Sequence, residues 1–310
     1  MSHYKVACIL APDSSKLFYP YLRILDLVSM GSKGYEKFLL AEMTWPEVKE
    51  ALGETDMAIV SVSSTEQHGP HLPVKTDAVI GYELCKRTAK RLYEETGIRV
   101  VIAPPIPFGM SLHHMLFPGT VSLKPETLTE VLVDVCWSLT HYGFRKIVIV
   151  NSHGGNRTVL DAVARRLYDN TDAMIFVTSG IAHVDDELNI AKKTLKAGPG
   201  GSSHAGETET SLMMALGEHV RVEKIPKNPV PPRFPLPEFV GWGTAKYTGV
   251  NFTGNWNTDE LSDDGYLGDP AKASRETGEK LLEYVVGNMV EFLRQVSELE
   301  VVKRVSHQPP

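Results

Sequence analysis

Short runs of β-branched apolar residues alternate along the chain with longer stretches in which apolar positions recur every three to four residues. That alternation is how a parallel sheet with crossover helices reads. Met57-Ala58-Ile59-Val60-Ser61-Val62 has the unbroken apolar character of a buried strand. From Asp77 onward Ile80, Leu84, Thr88 and Leu92 line one face of a helix that Gly97 stops. Arg99 to Ala103 reads as a second strand, ended by Pro104-Pro105, and Lys146 to Val150 as a third, with a helical stretch from Leu128 to Tyr142 between them. A helix carrying Leu160, Val163 and Leu167 then leads to a strand over Ala173 to Thr178. Ala205 to Leu216 and Ala271 to Val296 read as further helices, the last with Leu281, Leu282, Val285 and Val286 toward the core. The expected fold class is α/β with a mostly parallel sheet.

Composition narrows the class without changing the fold. With 310 residues, 32 basic and 38 acidic side chains and a formal charge of -6, the chain is expected to be one large domain with no polyanionic partner, so nucleic-acid binding is disfavoured. Three widely spaced cysteines form neither a disulfide framework nor a zinc knuckle, which points to a reducing, cytoplasmic setting. No stretch approaches the roughly 20 apolar residues of a spanning helix, and no membrane partner is expected. Ile181 to Ser203 loses periodicity and is rich in glycine, as a loop near a site would be. Residues 226–257 hold many prolines, glycines and aromatics and read as an ordered excursion or an oligomer contact.

Three polar clusters fall just after the first three strands: Glu66 to His71, Phe108 to His114, and His153. Open parallel sheets collect ligands at the carboxyl ends of their strands, so the three read as one site. Glu66 and His68 are two apart, and an extended backbone sends both side chains to one face. Carboxylate oxygen and imidazole nitrogen suit zinc, manganese or ferrous iron, with Asp77 as a third donor and His153 as a fourth. Asp77 reads equally well as a helix N-cap. In His204-Ala205-Gly206-Glu207-Thr208-Glu209, the two glutamates head a helix whose dipole favours them; spaced by two, one is expected to turn inward and the other to be solvated. Gly109-Met110-Ser111-Leu112-His113 lacks the second glycine of a nucleophile elbow, so Ser111, His113 and His114 are read as substrate hydrogen-bonding residues, Ser111 and His114 foremost. No GxGxxG or P-loop pattern is present, and nucleotide cofactors are not expected.

These residues, in order, resemble the creatininase (creatinine amidohydrolase) family. The landmarks are Ala41-Glu42-Met43-Thr44-Trp45-Pro46, Glu66 to Pro73, Asp77, Phe117-Pro118-Gly119-Thr120, Asn151-Ser152-His153-Gly154-Gly155-Asn156, His204-Ala205-Gly206 with Glu209-Thr210-Ser211, and Gly268-Asp269-Pro270. The resemblance implies a three-layer α/β/α fold, hexamer formation, and one or two divalent ions per subunit acting on small cyclic or amide substrates. It also implies Glu66, His68, His153 and a bridging Asp77 as metal ligands. Creatininase has a glutamate where this chain has Gly155, so one ion is either lost or held by Glu209. The loop from Ile181 to Ser203 lacks the tryptophans that enclose creatinine, and Trp242 and Trp256 lie too late to replace them. The Gly-Gly motif is closer to branches that hydrolyse formamides, trim the mycofactocin peptide or open an inositol-derived diketone.

The expected chemistry is hydrolysis: a metal-activated water attacks a carbonyl, Glu209 as base or ligand accepts the proton, His204 protonates the leaving group, and amides around Gly154 bind the oxyanion. The alternatives are hydrolytic C–C opening of a cyclic diketone such as 3-dehydro-scyllo-inosose, a non-catalytic metal-stabilised oligomeric scaffold, and a metal-free nucleotide-binding protein. The domain reading is an N-terminal extension over 1–38, one catalytic domain over 39–300 and a tail over 301–310.

Overall fold

The computed structural model describes residues 34–178, 180, 193–197, 203–230, 244–247, 250–253 and 255–302. Most of the N-terminal extension, most of the 181–203 loop, Trp242 with the rest of 231–243, and the tail from 303 lie outside the described residues. Four strands, β1 (Met57–Val62), β2 (Val101–Ile102), β3 (Lys146–Asn151) and β4 (Met174–Thr178), form one sheet in the order β2-β1-β3-β4. Every pairing in it is parallel, with Met57 opposite Lys146 and Val62 opposite Asn151. α1 (Trp45–Glu54) leads into β1, and the crossover elements are α2 (Thr76–Thr96), α3 (Pro125–Tyr142) and α4 (Arg157–Asn170), followed by α5 (Glu207–Ala215), the short α6 (Thr258–Leu261) and α7 (Arg275–Ser297).

The period of two along β1 divides its side chains between two cores. Met57 and Ile59 pack with Leu84 and Leu92 of α2, Leu212 of α5 and Leu281 and Leu293 of α7. Ala58, Val60 and Val62 pack on the other face with Leu128 and Leu132 of α3 and Leu160 and Val163 of α4. Helices thus cover both faces, giving the three-layer α/β/α arrangement expected of a buried parallel sheet. Phe38 and Leu39 are buried in the first core, and Leu39 bridges Ile102 beside the short β2.

Element ends depart from the expected ones where local chemistry intervenes. Pro104 and Pro105 cannot extend a ladder, and β2 keeps only two residues. α5 begins at Glu207, because Ala205 holds a left-handed φ of 51° that no helix continues. α7 begins at Arg275, capped by Ser274 accepting from the Thr277 N–H, so Pro270–Lys272 forms a separate 3-10 turn. Within the 226–257 excursion, β5 (Thr244–Tyr247) and β6 (Val250–Thr253) form an antiparallel hairpin. No helix among the described residues is long and apolar enough to cross a membrane.

Candidate metal centre

The loops that leave the carboxyl ends of β1, β2 and β3 converge as the polar clusters predict. Glu66 and His68 follow β1, Asp77 is the second residue of α2, Ser111 and His114 lie in the segment after β2, and His153 follows β3. His204 and Glu209 are delivered from outside the strand ends, at the head of α5. Asp77 makes no capping bond to α2, whose N-cap is Lys75, so the cap alternative falls.

Asp77 stands between two sets of donor atoms. Its Oδ1 lies 3.1 Å from His68 Nε2, which in turn lies 3.6 Å from Glu209 Oε2. Its Oδ2 lies 3.2 Å from His153 Nδ1, which lies 3.1 Å from Glu66 Oε2. Ligand atoms about 2.1 Å from one ion sit about 3.0–3.4 Å apart, so these separations suit coordination. Ligand-atom groups within 4.8 Å of one another comprise His68, Asp77 and Glu209; Glu66, His68 and His204; and Glu66, His113 and His153. Asp77 Oδ2 is buried and accepts no hydrogen bond, an orphaned acceptor that a cation would satisfy.

The electrostatics show a cluster that attracts positive charge. Burial opposes ionisation of Glu66, but the His114 and His153 imidazoles outweigh it and hold the carboxyl well below the usual range. Burial works against a proton on His68, yet Asp77, Glu209 and Glu66 raise its pKa to about 10. His153 is pushed well above its ordinary value against the same burial, chiefly by Glu66 and Asp77. Glu209 is raised to about 7, mainly by burial, which outweighs the pull of His68. Burial, with His114 and His68 nearby, holds His204 well below its ordinary value, so it is neutral at pH 7.

A dense outer layer orients these donors. The Ser111 hydroxyl donates to Glu66 Oε2 at 2.7 Å and lies 3.1 Å from His153 Nε2; it is fully buried. His114 Nε2 lies 3.3 Å from Glu66 Oε1, and its Nδ1 meets the Thr258 hydroxyl at 2.6 Å. Glu209 also accepts from the Ala205 N–H, and the left-handed turn at Ala205 aims that donor. Glu207 is buried too, accepting the backbone N–H groups of Lys196 and Ala197. The expectation that one of the two glutamates is solvated is therefore corrected: Glu207 clamps a loop while Glu209, with a quarter of its side chain exposed, enters the cluster. His71 is buried against Thr210, with burial holding its pKa down to about 4.

Gly154 is exposed and faces open space. At Gly155 an added Cβ would fall 2.2 Å from the Met110 carbonyl, 2.5 Å from His153 Nε2 and 2.9 Å from the His113 ring. No side chain fits there, the glutamate of creatininase included. Gln67 and Thr258 were absent from the sequence-derived site, whereas His113 was grouped there with Ser111 and His114. His113 stacks on His153 with ring centroids 5.6 Å apart and 7° between planes, and tilts against His114 at 4.2 Å. Nothing local marked Thr258, which comes from a different part of the chain.

Residues 41–293 match the creatininase family, described as creatinine amidohydrolase. The chain belongs to that family and is a hydrolase. A mycofactocin precursor peptide peptidase of Mycolicibacterium smegmatis is 31% identical over 77% of this chain and 85% of its own. Creatinine amidohydrolase of Pseudomonas putida is 28% identical over 83% of this chain and 96% of its own. A 3-dehydro-scyllo-inosose hydrolase of Thermotoga maritima is 32% identical over 56% of this chain and 54% of its own. A solved creatininase in its manganese form superposes with a TM-score of 0.69 at 27% identity, covering 84% of this chain and 99% of its own.

Proposed function

We propose that this chain hydrolyses a carbon–nitrogen bond of a small amide at a divalent-metal centre held by Glu66, His68, Asp77, His153 and Glu209. The observation that carries this reading is Asp77, whose two oxygens face two different donor sets. Zinc, manganese or iron suits such nitrogen and oxygen donors, and a divalent ion held there supplies a water acidified to near neutrality and a polarised carbonyl. Glu209 is the carboxylate that α5 brings to the His68 side, which favours its role as ligand over that of base.

His204 then carries the reacting proton. Its Nε2 lies 2.8 Å from the Gln67 carbonyl and its Nδ1 3.7 Å from Glu66 Oε1, so an acceptor nitrogen faces the cluster. It takes a proton from the attacking water and returns it to the leaving nitrogen. Ser111 and His114 bond to Glu66, which supports a role in aiming that carboxylate in place of the substrate contacts first assigned to them. Gly154, exposed beside His153, remains the candidate for substrate contact. The partial exposure of Glu209 gives solvent and substrate access to the cluster, which a closed scaffold site would not need. Exposed Trp45, Trp137 and Tyr142 support assembly as a homo-oligomer, which light scattering measures.

The test is a hydrolysis screen of the metal-reconstituted protein against cyclic amides, formamides, short peptides and cyclic diketones in parallel. Release of an amine or ammonia supports the reading. Turnover of diketones alone favours carbon–carbon ring opening, which the same cluster would serve and which the inosose hydrolase relative supports. Stoichiometric metal with no turnover of any class would leave the scaffold reading.

A further inference from the structure

Gln67 lies between two candidate ligands, yet its side chain turns into a buried hub shared by His114, His204 and Gly265. Its amide is pinned at both ends: Oε1 accepts from the Gly69 N–H at 2.9 Å, and Nε2 donates to the Gly265 carbonyl at 2.7 Å. A flipped amide would set donor against donor and acceptor against acceptor. The backbone across the hub makes room for it, since a Cβ on Gly265 would fall 2.2 Å from Gln67 Oε1.

One amide proton is committed to Gly265. The second has two imidazoles in reach, His114 Nδ1 at 2.9 Å and His204 Nε2 at 3.0 Å. The main-chain carbonyl of Gln67 lies 2.8 Å from that same His204 nitrogen and can only accept, so His204 Nε2 carries a proton and donates it. The second amide proton therefore goes to His114 Nδ1, which leaves the His114 proton on Nε2, 3.3 Å from Glu66 Oε1. The opposite His114 tautomer would donate to Thr258 and leave that hydroxyl free to bond the His113 carbonyl at 2.9 Å, but it would also turn a proton toward the Gln67 amide and a lone pair toward the Glu66 carboxylate. The carboxylate contact decides, since leaving a charged acceptor unpaired costs more than turning the Thr258 hydroxyl from the His113 carbonyl to His114 Nδ1.

We propose that Gln67 is a positioning residue which, through its side-chain amide and its own carbonyl, fixes His114 and His204 both as Nε2–H tautomers. His114 thereby donates into the cluster while His204 accepts there. The two rings, 4.4 Å apart between centroids, are alike in composition and opposite in what they offer the reaction. The kinetic consequence rests on the reading of His204 as the proton carrier; the tautomer assignment does not.

The experiment is nitrogen-15 NMR of histidine-labelled full-length protein, metal-free and metal-loaded, with signals assigned through His114→Gln and His204→Gln. Wild type is expected to show both residues protonated at Nε2. Gln67→Glu, which removes both amide donors at constant shape, is expected to move the His114 proton to Nδ1. It should also lower kcat about 100-fold with KM and metal content little changed. Gly265→Ala leaves residue 67 intact but displaces its amide, and is expected to reproduce the tautomer change if Gln67→Glu does not fold. A wild-type spectrum with His114 protonated at Nδ1, or variants that keep the wild-type pattern, would overturn the assignment. An altered pattern with undiminished kcat would overturn its kinetic role. A metal-loaded wild type that turns over no amide would sink the functional reading while the spectra still decide the tautomers.

Discussion

Glu66, His153 and Asp77 Oδ2 meet where two neighbouring strands end, whereas His68 and Asp77 Oδ1 meet a carboxylate carried in on α5. On the first side the donors are buried to within a few per cent, and Ser111 ties Glu66 to His153. On the second, Glu209 is partly exposed and depends on a non-glycine residue held at positive φ. One side is built by the sheet and its strand-end loops; the other is assembled by a helix docking against them. If two ions bind, the difference makes the first position tight and early-filling and the second, which shares Asp77, weaker and more adaptable.

Asp77→Asn is the harshest test, because it weakens both sets at once. Metal analysis should show the bound metal lost, whether one ion or two, and turnover below detection, with circular dichroism unchanged; an ion retained at full occupancy would deny the shared role. Glu209→Gln separates the two sides. It should leave the Glu66 side loaded, halve the metal content of a two-ion protein and cut kcat by about 100-fold, as loss of an essential charged group does. Equal loss from both sides by mass spectrometry would abolish the distinction.

Proton competition gives a graded version of the same contrast. His68 holds a proton up to about pH 10 in the metal-free chain, and an ion must displace it. Metal affinity on that side should therefore rise by about tenfold per pH unit between about 7 and 10, more steeply below 7 where Glu209 is protonated as well, and level off above 10, as titration calorimetry would record through proton release. The mildest change is Ser111→Ala, which removes a donor that orients Glu66. A roughly tenfold loss of metal affinity confined to the Glu66 side is expected. An effect of similar size on the His68 side would show that the two sets are not separable.

The sheet and its flanking helices were legible in sequence because β1 and β3 are buried on both faces and so read as continuous apolar runs. The same strand ends made Glu66, His68 and His153 legible, since such positions gather a site regardless of detail. Gln67 was not legible: with its neighbours on one face, an alternating backbone assigns it to the other, and its partner Gly265 is 198 positions away. Gly155 looked like a missing ligand. Only the Met110 carbonyl 2.2 Å from its absent Cβ shows why no side chain is there. Glu207 and Glu209 were read by helix geometry alone, which cannot register a loop whose amides seek a buried acceptor.

The reach of Gln67 across the molecule also has a bearing on synthesis. Glu66, His68 and Asp77 leave the ribosome early, but His204 and Glu209 follow much later, and the Gly265 carbonyl that holds the Gln67 amide follows later still. A nascent chain can thus present a few carboxylates and imidazoles to passing ions until Gly265 is made without an oriented proton carrier beside them. The carrier's setting is completed only when α6 and the turn after it have been made, so the proton carrier is not oriented before Gly265 has been added.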